Sequence, residues 1–183
     1  MTDPEDLTAD QQAAADEFAA WLSSPSDGTP FVLSGFAGSG KTFLSMRLLR
    51  QVEEVGLCWT VVAPTHKAVG VLRQALDLEG LQPTWFPSTI HRLLRLKLKR
   101  SAEAELCEPT EQTAMALENL GLVLIDEASM VSVQMFEQVL RAVLPHVRKI
   151  ILFGDDAQLP SIEPGQLLRD LIQCPWVPSV HLH

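Results

Sequence analysis

The stretch GFAGSGKT, Gly35 to Thr42, holds the residues whose types and spacing most directly imply chemistry. Gly35 and Gly40 enclose four residues and are followed by a lysine and a hydroxyl residue, which is the pattern of a phosphate-binding loop. Glycines let the backbone curl so that successive N–H groups face phosphate oxygens, and a helix starting at the loop adds its positive end. In that arrangement Lys41 reaches the β and γ phosphates of a nucleotide and Thr42 ligates Mg²⁺. A second set, LVLIDE from Leu122 to Glu127, is an apolar run that carries two acids to its carboxyl end. There Asp126 is placed to hold Mg²⁺ through its water shell, and Glu127 to orient or deprotonate an attacking water. A third apolar run ends in GDDAQLP, Gly154 to Pro160. Gln158 is placed to sense a γ phosphate at the same edge, while Gly154, Asp155 and Asp156 equally suit a plain polar turn.

These side chains need a scaffold, and the hydrophobic pattern supplies one. Leu7 to Leu22 sets apolar residues at Leu7, Ala14, Phe18 and Leu22 behind Thr8 as N-cap, which predicts an amphipathic helix ended by SSPSDGTP. Phe31 to Ser34 is a short strand running into the glycine loop, Thr42 to Val55 has helical periodicity, and Trp59 to Ala63 is a second strand stopped by Pro64. Strand, loop, helix and strand make one βαβ unit. Leu122 to Ile125, Ile150 to Phe153 and Ser179 to Leu182 are further strands, with a helix over Val133 to Leu144. The alternation predicts an α/β fold with a mainly parallel sheet flanked by helices, whose ligands bind at the carboxyl ends of the strands.

One segment stands apart from that alternation. Leu93 to Glu111 changes from basic to acidic and reads as an insertion, either a β-hairpin or an irregular arm. Arg92, Arg95, Lys97, Lys99 and Arg100 are five of the chain's 14 Lys and Arg residues. Their period-two alternation with leucines suits a hairpin strand with one cationic face, or a solvated edge strand protected by its charges. Trp85 and Phe86, just upstream, suit base stacking or a contact with the core.

Composition bounds the rest. At 183 residues, 46% hydrophobic and 20% charged, the chain is expected to fold as one domain over 1–183 and is unlike disordered or low-complexity sequence. A net charge of −9 argues against coating nucleic acid by bulk electrostatics, though not against a local basic groove. Cys58, Cys107 and Cys174 lie far apart with no CxxC pair, so neither a zinc site nor a disulfide framework is indicated. The apolar runs fall well short of a membrane span and the acidic start is unlike a signal peptide, so the expectation is a cytoplasmic protein with no membrane partner.

LTADQQ, GFAGSGKT, APTHKA, STIHRLL, LIDEASM and GDDAQLP follow one another in the order and spacing of the first motor domain of superfamily 1 DNA helicases. From Leu7 to Gly165 the sequence most resembles the RecD and Dda type. The resemblance implies a RecA-like P-loop NTPase with a small inserted hairpin, using ATP and Mg²⁺. Position by position it implies that Gln11 reads the adenine edge and that Gly35, Gly38, Ser39, Gly40, Lys41 and Thr42 cradle phosphate. It further implies that Thr42 and Asp126 hold the metal, and that Lys41, Glu127 and Gln158 form the catalytic set. Thr65, His66 and Lys67, with Ser88, Thr89 and His91, match residues that contact single-stranded DNA. The chemistry agrees, since hydroxyls and a lysine hold phosphates without reading sequence and a histidine ring stacks on a base. In the resembling helicases a hairpin at the insertion helps split the duplex; here its return limb, AELCEPT, is acidic and short.

The family hydrolyses ATP between two RecA-like domains, the second of which supplies an arginine to the transition state. The chain ends at His183, about where that second half begins in the family. The arginine is therefore expected from a missing second RecA-like domain or a partner chain. Slow hydrolysis by this stretch alone is the corollary, because such arginines contribute roughly 10³ to 10⁵ in rate. Two readings follow. One is part of a longer helicase that couples ATP hydrolysis to translocation on single-stranded DNA and unwinding, 5′ to 3′ by resemblance. The other is a small nucleotide-dependent nucleic-acid-binding or partner-completed module. A small-molecule kinase is disfavoured, because no arginine-rich lid follows the LVLIDE strand.

Overall fold

The computed structural model describes residues 7–36, 38–94, 97–100, 105–108, 115, 117–155, 157 and 166–182. Helix α1 (Ala9–Ser23) leads into β1 (Phe31–Gly35), α2 (Lys41–Glu54), β2 (Trp59–Ala63) and α3 (His66–Glu79). A two-residue β3 (Ser88–Thr89) and the single-turn α4 (Ile90–Leu93) precede the pair β4 (Lys97–Arg100) and β5 (Glu105–Glu108). Then come β6 (Leu122–Ile125), a 3₁₀ turn (Ala128–Met130), α5 (Val133–Val143), β7 (Lys149–Gly154), α6 (Leu167–Ile172) and β8 (Ser179–Leu182). Six strands form one parallel sheet in the order β3-β2-β6-β7-β1-β8.

Strands β1, β2, β6 and β7 are buried at every position, which is why they read as unbroken apolar runs rather than as alternating ones. Alternation persists in which face each residue serves. Leu33, Val61, Leu124 and Ile151 pack with α1, α2 and α3, whereas Val32, Val62, Val123, Ile125 and Leu152 pack with α4, α5 and α6. On the first face Phe18 and Trp21 of α1 close on Phe31, with ring centroids 5.2–5.6 Å apart. On the second, α5 turns Phe136, Val139, Ala142 and Val143 inward, a helical stripe. Lys149, buried at the start of β7, donates from Nζ to Trp21 O at 2.6 Å at the end of α1, and lies 4.5 Å over the Trp21 ring.

Three helices, among them the single-turn α4, and one strand lie outside the sequence expectation. Helix α3 carries Gly70 and leaves Val71 and Leu78 exposed, so its apolar residues encircle it and mark no single stripe. Helix α6, with six residues, is too short for a period to register, and β3 is shorter still. Within the segment read as an insertion, β4 and β5 pair antiparallel, with Lys97 opposite Glu108 and Arg100 opposite Glu105. Among the described residues, no helix is long and apolar enough to cross a membrane.

Candidate functional site

Three neighbouring strands, β6, β7 and β1, end at one edge of the sheet and deliver the residues of the cleft. Beyond β1 the loop depends on glycine. Gly38 and Gly40 have φ of 86° and 82°, in the left-handed region that side chains disfavour. A β-carbon on Gly40 would stand 2.6 Å from Gln11 Nε2, and one on Gly35 would stand 2.8 Å from both Leu182 O and Ser39 Oγ. The loop is thus held between α1 on one side and β8 on the other. Phe36 adds to the β8 contact by meeting the His181 ring edge-on at 5.2 Å, while His181 Nδ1 lies 2.9 Å from Ser34 Oγ.

Hydroxyls of Thr8, Thr65 and Ser132 cap α1, α3 and α5, but α2 begins at Gly40 with no side-chain cap. Its first N–H groups are left for another acceptor at the loop, which is the donor set a phosphate requires. Ser39 Oγ is buried without a hydrogen-bond partner, a second donor consistent with an anionic ligand. Lys41 Nζ donates to Phe36 O at 2.7 Å and to Gly35 O, placing its charge within the loop.

Across the cleft, of about 120 Å³, stand Asp126, Glu127 and Asp155, with Lys41 and Thr42 on the loop side. The N–H of Asp126 continues the ladder by donating to Val62 O at 2.8 Å. Burial pushes the Asp126 carboxyl up to about 6; the Glu127 charge adds to this, and the Glu127 N–H and the Lys41 ammonium oppose it. Glu127 adopts φ 53° and ψ 40°, alone among the described non-glycine residues in having positive φ. Such a backbone costs about 1–3 kcal/mol and is typical of functional sites. Room for the turn comes from Gly154, where a β-carbon would lie 3.1 Å from Ser129 N and 2.8 Å from Leu168 Cδ2.

The Thr42 hydroxyl and the Asp126 carboxylate are hard oxygen donors of the kind Mg²⁺ prefers. Among the described residues no three His, Cys, Asp or Glu side chains group as a metal cage, so an ion here would fill most of its shell with water or ligand phosphates. Asp155 is buried, accepts from Ala157 N at 3.0 Å in a polar turn, and lines the cleft together with Val71 and Leu72 of α3. Val71 and Leu72 are additions to the sequence expectation, hidden because α3 itself was not legible, whereas Asp155 already suits a polar turn in the sequence. Gln158 lies outside the described residues. Gln11 has a second task that its TxxQ spacing encodes: its Oε1 accepts from Thr8 N at 3.0 Å and closes a capping box, leaving Nε2 over Gly40.

The two motifs matched to strand contact meet at the same edge, since β2 and β3 pair with Ala63 beside Thr89. Thr65 Oγ1 accepts from Ala68 N and Thr89 Oγ1 from Arg92 N, capping α3 and α4. A hydroxyl acceptor used this way keeps its O–H for a phosphate. His66, Lys67 and His91 are exposed beside them, and Ser88 is half-buried.

A parallel sheet with a glycine loop entering a helix after one strand, and an acidic pair ending another, defines a P-loop NTPase domain of RecA-like architecture. A family model described as an AAA domain matches residues 6–183. The chain belongs to that family, and its relatives make it a superfamily 1 helicase motor domain of the RecD and Dda type. It is similar to the RecBCD enzyme subunit RecD of Mycolicibacterium smegmatis, 34% identical over 162 residues that cover 78% of this chain and 27% of that protein. It is 30% identical over 135 residues to the ATP-dependent DNA helicase dda of Enterobacteria phage T4, covering 73% and 28%. The Pif1 helicase from Bacteroides, solved in complex with ADP-AlF3 and ssDNA, superposes with a TM-score of 0.57 at 26% identity over 90% of this chain and 36% of that one. The chain spans little more than a quarter of the length of the RecD and dda proteins.

Proposed function

We propose that this chain is the ATP-binding motor domain of a DNA helicase that couples ATP hydrolysis to movement along single-stranded DNA, 5′ to 3′, and to unwinding. The observation that carries the reading is the convergence of Lys41, Thr42, Asp126 and Glu127 on one cleft, at the same sheet edge as Thr65 and Thr89. In this proposal Gly35, Gly38, Ser39, Gly40 and Lys41 bind the phosphates and Gln11 Nε2 donates to the adenine edge. Thr42 and Asp126 would hold Mg²⁺, which when bound offsets charge on the phosphate oxygens. A Glu127 carboxylate oxygen orients the attacking water and takes its proton, and Gln158 contacts the terminal phosphate. Thr65, His66, Lys67, Ser88, Thr89 and His91 hold the strand. The transition-state arginine comes from a second RecA-like domain or a partner chain, so this stretch alone turns over slowly.

The test is titration of the 183-residue chain with a fluorescent ADP analogue, followed by ATP hydrolysis with and without single-stranded DNA, beside Lys41→Ala. Measurable binding that Lys41→Ala abolishes, with slow turnover, is expected. Equal nucleotide affinity in the two proteins would overturn the assignment of the loop, and brisk DNA-stimulated turnover would overturn the need for an outside arginine.

A further inference from the structure

Beyond β3, the last strand on its side of the sheet, the surface between α3 and α4 has chemistry that the nucleotide cleft does not use. Two adjoining hollows of about 760 and 430 Å³ share Arg73, Phe86, Pro87 and Arg92 in their walls. Phe86 is 87% exposed and Trp85 40%, unusual for large rings beside a well-packed core. Their backbone is firmly tied. Thr60 Oγ1 donates to Trp85 O at 2.9 Å, Trp85 N donates to Trp59 O at 3.4 Å, and Arg73 Nη2 donates to Pro87 O at 2.6 Å. The rings are therefore presented by a segment fixed at both ends, which lowers the ordering cost of any contact they make.

Charge selects the kind of contact. The chain carries a net charge of −9, yet the two hollows are lined by two guanidinium groups and one carboxylate, that of Asp77. Flat apolar faces beside arginines are what a single strand needs, stacking for its bases and cations for its phosphates. The smaller hollow also includes Ser88, which continues directly into Thr89 and His91. That continuity favours nucleic acid over a protein partner.

We propose that this groove is a base-stacking subsite for single-stranded nucleic acid, with Phe86 as the platform, Trp85 beside it, and Arg73 and Arg92 on the flanking phosphates. The inference rests on the reading that the chain binds a single strand at Thr65–Lys67 and Ser88–His91, and extends the strand's path across the sheet edge onto α3.

The experiment is fluorescence anisotropy of a labelled oligothymidylate with the full 183-residue chain, over a range of salt, for wild type, Phe86→Ala, Phe86→Tyr, Arg92→Gln and His66→Ala. Phe86 and Arg92 are exposed, so melting temperature and nucleotide affinity should stay at wild-type values. Phe86→Ala should weaken DNA binding by at least about 5-fold and Phe86→Tyr should restore it. Arg92→Gln should lower the slope of log affinity against log salt by about 0.7. If wild type binds and His66→Ala weakens it while Phe86→Ala and Arg92→Gln change nothing, the groove assignment falls and the strand reading survives. No binding by wild type at low salt would remove both. Unchanged DNA affinity together with self-association that Phe86→Ala abolishes would reassign the groove to a protein contact and overturn the proposal.

Discussion

At Gly40 the backbone φ is 82° and a β-carbon would meet Gln11 Nε2 at 2.6 Å, so alanine is costly there on two counts. Gly56 has a similar φ of 75° but nothing within 4 Å of its missing β-carbon. Gly40→Ala should therefore lose about 1–2 kcal/mol from the backbone alone, shift Gln11 and abolish nucleotide binding. Gly56→Ala should pay only the backbone cost and bind nucleotide like wild type, a contrast that urea denaturation and a fluorescent-nucleotide titration can read. Equal nucleotide affinity in the two variants would mean that the contact with α1 does not shape the loop. Lys149 offers a second residue-level test. Burial lowers its ammonium below the usual 10.5, with the Asp27 charge opposing. Between that lowered folded value and 10.5 the unfolded chain keeps a proton that the folded chain has released, so stability rises with pH across this window; below it both states are charged and the burial cost is paid in full. In Lys149→Met that rise should be absent, as urea midpoints from neutral pH to 10.5 will report.

At the scale of elements, the threonines matched to strand contact are also structural, because Thr65 and Thr89 cap α3 and α4. Thr65→Ala should destabilise the fold by about 1 kcal/mol in thermal or urea unfolding, whether or not DNA is present, and Thr65→Ser should keep both cap and hydroxyl. A Thr65→Ala protein as stable as wild type would show that the cap is dispensable. The elements that were legible in the sequence are those whose signal is local. Phe31–Ser34, Trp59–Ala63 and Leu122–Ile125 are apolar runs because they are buried on both faces, and Thr8 announced its helix through the side chain that caps it. Asp126 and Glu127 could be placed because they follow such a run directly, and Lys41 and Thr42 because the glycine pattern after Phe31–Ser34 fixes their spacing. Helix α3 was not legible, since Val71 faces the cleft and Leu78 faces solvent, which blurs the stripe made by Val69, Leu72 and Leu76. The left-handed backbone of Glu127 was also invisible, because the turn it opens packs against Gly154, 27 positions away in the chain.

Across the whole molecule, the sheet's order of strands decides how a local change spreads. Leu124 is fully buried in β6, between β2 and β7, and two positions before Asp126. Leu124→Ala should cost about 2–5 kcal/mol in urea unfolding, against near neutrality for an exposed residue such as Leu78→Ala. A loss under 1 kcal/mol would mean that this face of the sheet repacks freely. The same order ranks the strands by permanence. Strands β6, β7 and β1 have a partner on each side, whereas β3 is two residues long and, among the described residues, pairs with β2 alone. In deuterated water, backbone amides of β6 and β7 should be the last to exchange, and those of β3, bonded to one strand, should exchange before them. The acids of the nucleotide cleft, Asp126 and Glu127, thus follow a strand gripped from both sides, while Ser88, Thr89 and His91 belong to the sheet's margin, where a partner can reach them without prising strands apart.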